Sequence, residues 1–222
     1  MKKKLLCLAL AGAISMAAQG ADKVKVGFVS TLSGPGGILG VAIRDGFQLG
    51  IEHAGGKLGG LPVEVLIEDD QQKPDVAKQL AEKLVKRDKV DFMTGMVFQN
   101  ILQAAQATVL GAETYYVSPN TGPSDLAGAG CNPYFFAVPW VSDSYSEATG
   151  KNMTDKGYKN VFTVALNYPG GKEVVNGFKR YYKGNLAGEL YTKVAQLDFA
   201  VEISQIRAAK PDAVFFFLPG GM

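Results

Sequence analysis

The feature that most constrains this chain is a change of hydrophobic period that repeats along its length. From Lys23 onward, short β-rich runs alternate with stretches in which apolar residues recur every three to four positions. The runs are Val24–Ser30, Pro62–Glu68, Val90–Thr94, Thr114–Ser118, Asn160–Leu166, a weaker one around Leu190–Val194, and Ala213–Leu218. Between them, Leu39, Ile43, Phe47, Gly50 and Ile51 share a helical face. So do Ala77, Leu80, Ala81 and Leu84; Ile101, Ala104, Ala105 and Thr108; Val174, Phe178 and Tyr181; and Phe199, Ile203 and Ile206. Strand then helix, repeated, predicts an α/β fold of parallel sheets flanked by helices. Pro119 to Asp143 breaks the rhythm with Pro119, Gly122, Pro123, Gly128, Gly130, Pro133 and Pro139 around a short aromatic strand, Tyr134–Val138. That composition marks a boundary between two lobes, 21–140 and 141–222. The last apolar strand is followed by no helix, so the second lobe is expected to be incomplete and the chain truncated at its C-terminus.

Residues 1–20 precede this pattern and read as a secretory signal: Lys2, Lys3 and Lys4, an apolar run from Leu5 to Ile14, and small residues through Ala18 and Gly20. An apolar core of about ten to thirteen residues is short of the roughly 20 a membrane-spanning helix needs. The expectation is export with cleavage and no lipid anchor at Cys7. Charge says nothing against this. The whole chain has 23 Lys+Arg and 21 Asp+Glu, and the first three lysines account for the excess, so no nucleic-acid partner is expected. Beyond the leader, Cys131 stands alone; it is either a small buried residue or half of a disulfide whose partner is elsewhere.

Catalytic groups are hard to assemble. The lone His53 falls in the last turn of a helix, and no Gly-x-Ser-x-Gly elbow, Cys-x-x-Cys pair or Walker A sequence occurs. Ser33-Gly34-Pro35-Gly36-Gly37-Ile38-Leu39-Gly40 follows a strand and opens a helix, as a dinucleotide-binding loop does, but Leu39 occupies the third glycine's place. The carboxylates of Glu68-Asp69-Asp70 are read either as a ribose-binding group or, more simply, as solvating or capping groups. Neither an enzyme nor a cofactor is expected.

What remains is geometry suited to binding, because ligands of open parallel sheets gather beyond the carboxyl ends of the strands, where helix N-termini present unpaired N–H groups. Three first-lobe loops should open on one edge: Thr31–Gly40, Gly95–Asn100 and Pro119–Gly122. They supply Leu39, Met96 and Phe98 with Ser33, Gln99, Asn100, Asn120 and Thr121, and no lysine or arginine. Tyr168-Pro169-Gly170-Gly171 holds the matching place in the second lobe. A small, largely apolar solute with one anionic group fits that mixture.

Taken in order, Leu32-Ser33-Gly34-Pro35, Glu68-Asp69-Asp70 with Pro74, Leu84-Val85 with Asp88, Val90-Asp91 and Gly95, Ser118-Pro119, Tyr134-Phe135-Phe136 and Tyr168-Pro169-Gly170-Gly171 resemble the type I periplasmic binding proteins of ABC importers, in the Leu/Ile/Val-binding branch. The resemblance implies a monomeric two-lobed receptor that closes on a small-molecule solute and delivers it to membrane permease subunits. It also implies a longer chain, on which a disulfide partner for Cys131 would lie. The ligand positions it implies are Leu39, Phe98, Gln99, Asn120, Gly122 and Tyr168. Amino-acid binders of the family commonly carry a hydroxyl where Gln99 stands and a Thr where Gly122 stands. Without that Thr an ammonium loses an acceptor, so an aromatic or other hydrophobic carboxylic acid is expected before a branched-chain or other amino acid. A ligand-sensing domain of a signalling protein is the remaining alternative.

Overall fold

A computed structural model describes residues 22–219 and places them in two largely parallel sheets, with helices between most successive strands. The expected signal segment lies outside the described residues. In the first sheet the strands run β2-β3-β1-β4-β5-β6: β1 (Val24–Ser30), β2 (Lys57–Leu58), β3 (Leu61–Asp69), β4 (Phe92–Thr94), β5 (Tyr115–Ser118) and β6 (Phe135–Ala137). Pairing is parallel from Val24↔Val63 to Ser30↔Asp69 and onward to β6. The exception is the two-residue hairpin β2–β3, where Gly59 and Gly60 both have positive φ, the geometry that matches strand twist in a tight reversal. The second sheet has the order β8-β7-β9, with β7 (Asn160–Leu166), β8 (Asn185–Thr192) and β9 (Ala213–Phe217) all parallel.

The helices are α1 (Gly37–His53), α2 (Pro74–Glu82), α3 (Gln99–Gly111), α4 (Ser144–Asp155), α5 (Pro169–Tyr181) and α6 (Ala200–Ala209). One core gathers Val29, Leu84, Met93, Met96, Ile101, Leu102 and Tyr116 between the first sheet and α2 and α3. A second joins Val161, Phe178 and Tyr182, with the Phe178 ring stacked on Phe215 at 4.5 Å. Helices α4 and α5 cross very closely. A Cβ at Gly150 would lie 2.2 Å from the Phe178 carbonyl oxygen, and one at Gly177 would lie 2.1 Å from that of Asp143. Arg180 of α5 pairs with Asp143 at 2.8 Å and with Glu147 across the same seam.

Four departures from the sequence reading have physical causes. Helix α2 runs on as a π-helical turn, Lys83–Asp88, and the Val90 N–H closes it by donating to the Leu84 carbonyl, so Val90 is removed from the strand expected to start there. Strand β8 lies earlier than the run around Leu190–Val194, because its pairing begins at Asn185 and admits Gly188, where a Cβ would sit 2.3 Å from the Phe162 ring. Cys131 is exposed rather than buried, and it pairs with no cysteine among the described residues. The apolar residues of α1 and α6 are only partly covered: α6 has no buried residue, and Val201 and Ile203 are exposed.

Candidate functional site

The carboxyl ends of the strands from both sheets converge on one cavity of about 400 Å³. Leu39 reaches it after β1; Val97, Phe98 and Gln99 after β4; Asn120 and Thr121 after β5; Trp140 and Ser142 after β6. The second lobe adds Tyr145 from α4, Tyr168, Gly170 and Val174 around the start of α5, and Phe217 and Pro219 at the end of β9. The location is the one parallel topology dictates.

Local backbone chemistry holds these loops in place. Gly95 turns the chain out of β4 at φ 109°, and a Cβ there would meet the Val29 carbonyl oxygen at 2.6 Å, so only glycine fits. The Ser30 hydroxyl donates to the Gly95 carbonyl at 2.9 Å, and the Asn120 amide donates to Val97 at 2.7 Å, tying the second and third loops together. Phe98 is extended at the N-cap of α3, and the helix that it opens leaves its first N–H groups without intrahelical acceptors beside the cavity. Across the cleft Tyr168 caps α5 in the same way, with Pro169 at the first helical position, where its missing N–H costs nothing. The rings of Phe98 and Tyr168 meet edge to face at 6.0 Å and 83°. Trp140 meets Tyr145 at 5.7 Å, and Tyr145 lies 6.2 Å from Phe217. Burial pushes the Tyr168 phenol well above its ordinary range, helped by the nearby Glu173 carboxylate. Burial also raises Tyr145, with Tyr168 adding to it. Both hydroxyls therefore remain protonated donors at neutral pH.

Of the residues predicted from sequence, Leu39, Phe98, Gln99, Asn120, Thr121 and Tyr168 lie together on the cavity wall. Asn100 instead faces a smaller neighbouring pocket of about 230 Å³ that Phe98 and Tyr168 separate from the first. Gly122 does not line the cavity. A Cβ on it would stand 2.0 Å from the Trp140 carbonyl oxygen, and its own carbonyl accepts from the Ser142 N–H at 2.7 Å. Its role here is to let the Trp140 segment approach. Met96 is in the first core, its N–H donating to the Tyr116 hydroxyl at 3.1 Å. The acidic cluster after β3 holds its own neighbourhood. Asp69 accepts from the N–H groups of Leu32 and Gln71, Asp70 accepts from the Thr31 hydroxyl at 2.6 Å and the Gln72 N–H, and Glu68 pairs with Lys83. Bracing of the loops after β1 and β3 and the pairing with Lys83, rather than helix capping, take up these carboxylates, since α2 has no side-chain cap.

Trp140, Tyr145 and Phe217 were not singled out from sequence. Trp140 has a usable signal in the sequence: Tyr134–Val138, as a sixth parallel strand, sends its following residues to the same edge as the other site loops. Tyr145 and Phe217 carried none, because their part depends on how the two sheets face each other.

An α/β chain whose two sheets share a cleft at their strand ends defines a class of two-lobed binding protein, and residues 23–222 match the periplasmic binding protein family, to which this chain belongs. Its fold is the type I arrangement of that family. Among curated relatives it is 28% identical over 225 residues to Leu/Ile/Val-binding protein homolog 6 of Brucella abortus, covering all of this chain and 57% of the relative. Thus it spans little more than half the length of such relatives. Among solved structures, a solute-binding protein of an ABC transporter from R. palustris in complex with benzoate superposes with a TM-score of 0.86 at 31% identity, over 90% of this chain and 56% of the other. Another from Rhodopseudomonas palustris BisB5, in complex with 3,4-dihydroxybenzoic acid, gives 0.84 at 28% identity over 90% and 55%.

Proposed function

We propose that this chain belongs to an extracytoplasmic receptor of an ABC importer that takes up a small aromatic or otherwise hydrophobic carboxylate between its lobes, 21–140 and 141–222, and hands it to the permease subunits. Export to the periplasm and action as a monomer are part of this reading. The observation that carries it is the makeup of the cavity wall. Phe98, Trp140, Tyr145, Tyr168 and Phe217 supply ring surfaces, while the lining residues include no Lys, Arg, Asp or Glu. A ring packs against those walls. A carboxylate finds the α3 N-terminus and hydroxyl donors, each charge-assisted bond being worth about 1.5–3 kcal/mol. An ammonium finds no carboxylate on the wall, which disfavours a zwitterionic amino acid.

Thermal melts of the full-length mature protein with benzoate, 4-hydroxybenzoate, cinnamate and leucine test this. An aromatic acid at 100 to 1,000 times its Kd should stabilise the protein by about 2.7–4.1 kcal/mol. Stabilisation by leucine and by none of the aromatic acids would replace this ligand class with the branched-chain one.

A further inference from the structure

One carboxylate bridges the cleft. Glu173, in the first turns of α5, accepts 2.5 Å from the Gln99 side-chain amide, 2.8 Å from the Ser124 hydroxyl and 3.1 Å from the Ser124 N–H. Gln99 opens α3 and Ser124 follows β5, so all three donors come from the first lobe while the acceptor belongs to the second. Further along α5 the charged side chains behave differently: Lys179 pairs with Glu189, and Arg180 with Asp143 and Glu147, within the second lobe. Both oxygens of Glu173 accept from the first lobe, Oε1 from Gln99 and Oε2 from Ser124. It also fixes the orientation of Gln99. A carboxylate only accepts, so the amide nitrogen must face it, and Oε1 is turned to a buried position where it has no partner.

We propose that Glu173 is the latch that stabilises the closed state and the positioning residue that sets Gln99 in the cavity wall. The inference rests on the two-lobed receptor reading above. The full-length mature protein carrying Cys131→Ser, with spin labels at Gln48→Cys on α1 and Lys156→Cys after α4, both exposed sites, reports the distance between lobes. Without ligand, Glu173→Ala should deplete the short distances seen in the parent. With benzoate as the probe, dissociation should accelerate about tenfold, as expected for losing a charge-assisted contact. Ser124→Ala removes one donor and should give a smaller change in the same direction, and combining it with Glu173→Ala should add nothing further. An unchanged distance distribution, or additive effects in the double variant, overturns the latch. Failure of the parent to bind benzoate would count against the aromatic-acid reading instead, while the ligand-free distances would still decide the role of Glu173.

Discussion

Replacing Tyr168 with alanine isolates what the second lobe contributes to the cleft wall. The change leaves the backbone bonds at this position in place: the Tyr168 N–H donates to Leu166, its carbonyl accepts from the Lys172 N–H at 3.1 Å, and Pro169 still begins α5. What disappears is the edge-to-face contact with Phe98 at 6.0 Å and the ring surface toward the cavity. An aromatic pair of this geometry is worth about 0.5–1.5 kcal/mol beyond its buried area. With the ligand-facing area added, the total loss is about 1–3 kcal/mol, or roughly 5- to 150-fold in Kd. Tyr168→Phe keeps the ring and loses only the hydroxyl, so its cost should stay within about 0.5–1.5 kcal/mol. Isothermal titration with benzoate, alongside circular dichroism to confirm folding, measures both. Parent-like affinity in Tyr168→Ala would remove the ring from the binding surface. Equal losses in the two variants would mean that the hydroxyl, not the ring, carries the contact.

Two further outcomes follow from the same geometry. Gly122→Thr should not create an amino-acid site: its Cβ collides with the Trp140 carbonyl, so a thermal melt should show about 1–3 kcal/mol of destabilisation, with weaker benzoate binding and no gain for leucine. A variant with parent stability and new leucine affinity would refute this. Asp70 is fully buried, which raises its carboxyl above the ordinary value despite the Thr31 and Gln72 bonds. Its protonated form is thus favoured in the folded state. The stability this provides is complete below about pH 4 and is lost as pH rises through the folded value. Asp70→Asn should therefore gain stability relative to the parent between pH 4 and pH 7, and melts showing a constant difference across that range would exclude the mechanism.

How much of the molecule was readable in the chain depended on whether a residue's role was local. Asn160–Leu166 could be bounded to the residue because six consecutive positions are buried in a central strand, leaving a β-branched and apolar run in which Thr163 is the only polar residue after Asn160. Asn185–Thr192 could not, since Gly188 and Glu189 answer to the Phe162 ring and to Lys179 rather than to strand propensity. Phe98 and Tyr168 were legible because each ends a strand-to-helix loop. Glu173 resembled any solvated charge on a helix, and only the apposition of α5 to Gln99 and Ser124 gives it partners. Pro and Gly around Tyr134–Val138 announced a lobe boundary, and this obscured that the segment also completes the first sheet.

The glycine-tight crossing of α4 and α5 bears on the closure proposed above. Tyr145 rides on the first of these rods, while Tyr168 and Glu173 sit at the leading end of the second, and a seam that leaves no room for even one methyl permits little sliding between them. In the proposed closure the opposing jaw would therefore travel as one piece, bringing its aromatic faces to the solute and its carboxylate to Gln99 and Ser124 in a single stroke.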